Sequence, residues 1–160
     1  FLLGILALFL TVKECDQKKK VEDSSKVEIV NSDETAKQQK QEYIIEYSAM
    51  TRGYNMNILM DGKTISFKEG VNSKPIIKPC DDEVWNNIVK KLDSIDLNSL
   101  SSLVAPTQKR LYDGAAHANI KITIDGKTYQ TQGFDHGFPP EEIKTLCNKV
   151  LEVSSSDKKE

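Results

Sequence analysis

The chain has 160 residues, a formal net charge of −2 and 29% charged residues, a length suited to one domain with a sizeable core. Acids and bases nearly balance, and no basic stripe or arginine-rich face occurs, which argues against nucleic-acid binding. No Gly-x-Ser-x-Gly elbow and no glycine-rich phosphate loop is present, so no cofactor and no catalytic residue is assigned.

Phe1 to Val12 is an almost wholly apolar run that stops at Lys13-Glu14-Cys15. A helix crossing a bilayer needs roughly 20 apolar residues, so this shorter run reads as the core of an export signal spanning residues 1–15. Cys15 stands where a bacterial lipoprotein carries its lipid-modified cysteine, although Lys13-Glu14 take the place of the small residue expected before it. Three outcomes are open: lipidation at Cys15, cleavage with secretion, or an uncleaved anchor or intracellular protein. Residues 16–41 are rich in Lys, Glu, Asp, Ser and Gln and cannot bury enough apolar area to offset ordering. They are expected to form a disordered tether with an r.m.s. span on the order of 28 Å. The lysines of Lys18-Lys19-Lys20 are balanced by Glu22, Asp23 and later acids, as in a solvated segment.

A single domain is expected over 42–153, with a polar tail over 154–160. Tyr43 to Ala49 alternates as a strand, with Tyr43, Ile45 and Tyr47 on one face. Thr51-Arg52-Gly53 reads as a turn. Asn55–Met60 and Thr64–Phe67 flank Asp61-Gly62, a hairpin signal. A two-residue Asp61-Gly62 loop would pair Met60 with Lys63, Ile58 with Ile65 and Met56 with Phe67, placing the apolar set on one face. Cys80-Asp81-Asp82-Glu83 opens a helix with acids in its first turn. Its apolar stripe is Val84, Trp85, Ile88, Val89, Leu92 and Ile95. Leu97, Leu100 and Leu103 follow as inward anchors in irregular chain.

A second hairpin, His117–Ile124 and Lys127–Gly133, flanks Asp125-Gly126. Pro139-Pro140-Glu141-Glu142 then starts a second helix, with Ile143, Leu146, Cys147, Val150 and Leu151 inward. The words Asp-Gly-Lys-Thr occur in both hairpins, more often a common turn than a duplication. The expected fold is α+β: an antiparallel sheet of two Asp-Gly hairpins and an N-terminal strand, with two amphipathic helices on one face.

Cys80 and Cys147 are the other cysteines. A disulfide between them would close a loop of about 66 residues and add up to ~4 kcal/mol, provided their Cα atoms lie within about 7 Å. Separate buried thiols are the other reading.

Continuing the register of the second hairpin places Phe134 opposite His117 and His136 diagonal to it on the same face, on the order of 7–8 Å away. With Asp113 and Asp135 nearby, such a group could hold a metal or do acid–base work. No His-x-x-x-His or Cys-x-x-Cys spacing supports it, and no metal site is assigned. Structural or surface histidines are the stronger reading. Arg52 could pair with Asp113 or Asp135, either to recognise an anion or to hold loops together. Phe134 to Pro140 suits a binding edge, unless Phe134 and Phe138 plug the core instead.

Glu46-Tyr47-Ser48-Ala49-Met50-Thr51-Arg52-Gly53, Ala105-Pro106-Thr107, Tyr112-Asp113-Gly114-Ala115-Ala116-His117 and Phe134-Asp135-His136-Gly137 with Pro139-Pro140 resemble a group of small, uncharacterised lipoproteins of the Bacteroidota cell envelope. The resemblance covers most of the folded part. It implies an envelope location and brings no activity or site. Lys13-Glu14 departs from that group. More remotely, the order hairpin, helix, hairpin, Pro-initiated helix is similar to emfourin-type inhibitors of metalloproteases.

The expectation is a monomeric, non-enzymatic envelope protein, periplasmic or on the outer membrane, alternatively secreted. It binds another protein or an envelope component and is membrane-held if Cys15 is acylated. A protease-inhibitor module, a small hydrolase using His117, His136, Asp113 and Asp135, and a small-ligand carrier are the alternatives.

Overall fold

The computed structural model describes residues 41–155. The expected export signal with Cys15, nearly all of the expected tether and the tail beyond Ser155 lie outside the described residues. Among the described residues no helix is long and apolar enough to cross a membrane.

The fold is α+β, a seven-stranded antiparallel sheet with two helices. β1 (Tyr43–Thr51) turns at Arg52-Gly53 into β2 (Tyr54–Met60), and β3 (Thr64–Glu69) and β4 (Ile76–Pro79) complete one side. α1 (Asp82–Asp93) and a 3₁₀ helix, η1 (Leu97–Ser102), follow. A second 3₁₀ helix, η2 (Lys109–Tyr112), leads into β5 (His117–Ile124), β6 (Lys127–Gln130), β7 (Phe134–Asp135) and α2 (Glu141–Ser155). The sheet order is β4-β3-β2-β1-β5-β6, with β7 also on β5. The N-terminal strand is therefore central, joining the two hairpins.

Period-two alternation decides the faces. Ile45, Tyr47 and Ala49 of β1, Ile58 and Met60 of β2, and Ala118, Ile120 and Ile122 of β5 form one buried face. Trp85, Ile88 and Leu92 of α1 and Ile143, Leu146 and Val150 of α2 join them in a single core. Leu100 of η1 is fully buried, with Leu97 and Leu103 partly so. The opposite sheet face is polar, with Glu46 paired to Lys121 directly across the strands. α2 runs to Ser155, with Ser154 buried and its hydroxyl donating to the Leu151 carbonyl at 2.8 Å. The polar tail expected from Ser154 thus begins inside the helix.

The two Asp-Gly-Lys-Thr words fold differently. In the second, Ile124 pairs with Lys127, and Asp125 (φ 49°) and Gly126 (φ 82°) are both left-handed, as in a type I′ turn. In the first, Met60 pairs with Ile65, Ile58 with Phe67 and Met56 with Glu69, two residues off the expected register. The turn centres on Gly62-Lys63, with positive φ at Gly62 alone. Asp61 Oδ1 accepts from the Lys63 and Thr64 amides at 2.9 and 2.8 Å and so occupies the turn itself. The Cys80 amide donates to the Lys63 carbonyl at 2.8 Å, drawing Lys63 toward the β3–β4 ladder. A shift of two preserves side-chain parity, so the expected apolar face survives the register correction.

β4 has no counterpart among the expected elements. Because the Cys80 amide faces β3, Ile76 and Lys78 also face β3, and residues 75, 77 and 79 point their backbone groups outward. Pro75 and Pro79 occupy two of those outward positions. Only the Ile77 N–H remains for a further strand, so the edge resists strand addition even though Ile76 and Ile77 are exposed.

A Cβ at Gly62 would lie 2.7 Å from the Trp85 indole, whereas one at Gly126 meets nothing within 4 Å. Both have positive φ. Gly126→Ala should therefore cost roughly 1 kcal/mol from backbone strain alone. Gly62→Ala should cost roughly 3 kcal/mol, because Trp85 must also move. Urea unfolding of the two variants measures this, and equal losses would contradict the packing of Trp85 on the turn.

Candidate functional site

The second hairpin keeps the Asp125-Gly126 register as far as Thr131, whose amide donates to the Ile120 carbonyl at 3.1 Å. Beyond it Phe134 pairs with Ala118 and Asp135 with His117. Gln132 and Gly133 thus lie opposite Asn119 alone, which is a β-bulge. Thr131 Oγ1 accepts from the Ile120 amide at 3.1 Å and Gln132 Nε2 donates to the Ser101 carbonyl at 2.9 Å, fixing both ends of the irregularity. The bulge moves every later residue to the other face.

That one-residue slip corrects several expectations. His117 lies opposite Asp135, not Phe134, and is exposed beside Met50 on the outer face. His136 turns to the core side, where its Nδ1 lies 2.8 Å from the Tyr47 hydroxyl. The two histidines are on opposite faces, so they do not share a site. Asp113, one residue past η2, is exposed with φ 58°. Among the described residues no group of three or more metal-ligating side chains converges. Phe134 and Phe138 divide as well: Phe134 is a fully buried core residue packed on Tyr47 at 6.2 Å, while Phe138 is 46% exposed.

Arg52 does not meet Asp135. It is exposed on the β1–β2 turn, and Asp135 is taken by Arg110, whose role the sequence did not disclose. Asp135 is 0% exposed. Its Oδ2 accepts from Thr107 Oγ1 at 2.5 Å and the Lys109 amide at 2.6 Å. Its Oδ1 accepts from the Arg110 amide at 3.0 Å and Arg110 Nη1 at 3.1 Å. Arg110 Nη1 also donates to the Thr107 carbonyl at 2.8 Å. Burial opposes the charge on Asp135, but the Thr107 hydroxyl, the Arg110 amide and guanidinium and the Lys109 amide outweigh it and hold the carboxyl well below the usual range. The carboxylate closes the start of η2 onto β7.

This anchor sets the adjoining surface. The Asp135 backbone carbonyl accepts from the Phe138 amide at 2.8 Å across a tight turn with Gly137 at φ 85°. Lys109, held through its own amide, puts its ammonium 4.5 Å from the Phe138 ring centre. Leu111 and Tyr112 follow in η2 and are exposed. The His136 and Tyr54 ring centres lie 6.1 Å apart, and burial together with the nearby Glu69 charge raises the Tyr54 pKa. Lys109, Leu111, Tyr112 and Phe138 thus stand on the two segments that Asp135 joins, while Tyr54 packs beside His136.

Burial pushes the Tyr47 hydroxyl up and keeps it protonated. Burial likewise lowers the His136 pKa, with Glu69 opposing, so the ring is neutral at pH 7. Cys80 and Cys147 are separate, buried, free thiols, and burial pushes Cys147 up to about 12, which removes it as a nucleophile at neutral pH. A groove of about 490 Å³ opens between β3–β4, the start of α1 and the end of α2, floored by Ile65, Val84 and Val153. Its Lys149 and Glu152 are paired to each other at 2.9 Å. No family model, no curated protein and no solved structure matches the chain.

The folded pKa of Asp135 lies below its unfolded value of about 3.9, so its stabilisation is complete above about pH 4 and is lost as pH falls through the folded value. Asp135→Asn should cost on the order of 3 kcal/mol at pH 7 by leaving Arg110 without its charge partner. The same variant should flatten the acid limb of the stability curve. Urea unfolding between pH 2 and 7 measures both; parallel wild-type and variant curves would refute the assignment.

Proposed function

We propose that this is an exported, non-enzymatic binding protein of the cell envelope, anchored by lipid at Cys15 or released as a secreted protein. The apolar run Phe1 to Val12, its break at Cys15 and the polar segment after it support export. A polar segment of that length would let a monomeric domain reach a partner a short distance from the membrane.

The observation that carries the binding role is the Asp135 anchor. A carboxylate without solvent contact, held in its charged form by four donors, is ill suited to acid–base chemistry. What it does is hold η2 in place, while the backbone carbonyl of the same residue closes the Phe138 turn. Those segments display Leu111, Tyr112 and Phe138 to solvent. Exposed aromatic and aliphatic side chains on a preorganised loop suit protein recognition, since less conformational freedom is lost on binding.

Crosslinking in native membranes followed by purification of the full chain tests this. Wild type should recover a partner, and Tyr112→Ala with Phe138→Ala should lower recovery at least tenfold. Urea unfolding of the double variant should shift by no more than about 1 kcal/mol, because both side chains are exposed. Recovery of the same partner at undiminished yield, or of this protein alone, would sink the reading.

A further inference from the structure

The chain has one tryptophan, Trp85 in the first turn of α1, and it is only 6% exposed. An indole nitrogen can only donate. Among the described residues Trp85 Nε1–H has no hydrogen-bond partner, yet no buried side-chain nitrogen there is left unsatisfied, so this atom is open to solvent. It sits over Gly62: a Cβ on that residue would come 2.8 Å from Nε1, so the bare glycine leaves the N–H uncovered. Trp85 and Gly62 line a cavity of about 300 Å³, whose remaining wall comes from residues 41–43, Asp61 and Lys63. Tyr43 donates its hydroxyl to Gln41 Oε1 at 2.6 Å, which leaves the Gln41 amide nitrogen as a further donor. The first turn uses only one oxygen of Asp61: Oδ1 accepts from Lys63 and Thr64, and Oδ2 accepts nothing among the described residues.

We propose that this cavity binds one neutral pyranose unit of a glycan, through a hydroxyl that accepts from Trp85 Nε1–H and a hydroxyl that donates to Asp61 Oδ2. The donor and the acceptor together select the ligand. A simple ammonium ion would satisfy Asp61 and leave the indole N–H without an acceptor. An anion, or the carboxylate of a zwitterion, would meet Glu42 and Asp61, with the Asp125 carboxylate bonded to the Glu42 amide at 3.0 Å, against the single charge of Lys63. A hydroxyl carries no charge, and it both donates and accepts. Two aromatic residues, Tyr43 and Trp85, supply apolar surface for the C–H face of a sugar ring, and the size of the cavity suits one ring rather than several. The site is independent of the protein-binding surface proposed above, because Leu111, Tyr112 and Phe138 do not line it.

With one tryptophan, the full chain labelled with nitrogen-15 gives a single indole N–H resonance that reports on the site. The methyl glycosides of glucose, galactose, mannose and N-acetylglucosamine are titrated separately to about 50 mM. At least one should shift that resonance saturably, while tetramethylammonium, glycine and inorganic phosphate leave it in place. No shift with any of the four sugars, or a saturable shift with a charged probe, would overturn the proposal. Saturation transfer to the sugar that binds then reads the variants. Asp61→Asn keeps an oxygen for the turn and removes the charge, and it should weaken binding about fivefold or more. Trp85→Phe, which removes the donor, should do the same; if that variant does not fold, Asp61→Asn decides. Undiminished binding in either folded variant would refute the hydrogen bond assigned to it. Tyr112→Ala should leave the affinity unchanged, and a loss there would place the sugar on the other surface and refute this site.

Discussion

The Asp135 carboxylate is the constraint on which the functional end of this molecule depends. Burying an ion is costly unless its lone pairs are met by well-placed donors. Here Thr107, Lys109 and Arg110 supply them from one short segment. The segment runs over the sheet with little apolar burial of its own, for Leu111 and Tyr112 face solvent. Charge-assisted hydrogen bonds thus do for η2 what hydrophobic contact does for the two helices. Removing them would leave the sheet and helices their own core while freeing the surface that carries the exposed aromatics.

The bulge at Gln132-Gly133 makes this anchor geometrically possible. Without the extra residue, Asp135 would point into the apolar core and Phe134 toward the polar face. With it, Phe134 fills the core against Tyr47, Asp135 meets Arg110, and His136 reaches the Tyr47 hydroxyl. One irregular position therefore couples three side chains of different chemistry to environments that suit each. Extra residues of this kind commonly re-aim side chains beside functional surfaces.

Two edges of the molecule are managed in different ways. At β4 the outward backbone is blunted by Pro75 and Pro79, so exposed Ile76 and Ile77 do not offer an open ladder. At η2 and the Phe138 turn, side chains rather than backbone groups are displayed, on segments joined by Asp135. The contrast favours side-chain recognition over strand addition. It also explains why the groove beside α1 and α2 is the weaker candidate: its ion pair is already satisfied within the protein.

Much of the architecture was legible in the amino-acid sequence. Alternation in Tyr43 to Tyr47, helical spacing from Val84 to Ile95 and the Pro-Pro-Glu-Glu start of α2 are local signals, and each depends on the chain's own periodicity. The α+β class and the helices on one face follow from them. Register was not legible in the same way. The word Asp-Gly-Lys-Thr makes one turn where Glu42 bonds to Asp125 and another where Cys80 bonds to Lys63, so distant strands choose between them. Nor could the chain announce the bulge, since no local rule distinguishes Gln132-Gly133 from the end of a strand. That slip placed His117 and His136 on opposite faces and gave Asp135 to Arg110 instead of Arg52. Period and composition are properties of neighbours along the chain, and they were sufficient for the two helices, the longer strands and most of the core, but not for β4. Which polar side chains meet depends on single-residue parity between segments far apart, and only the packed tertiary structure decides it.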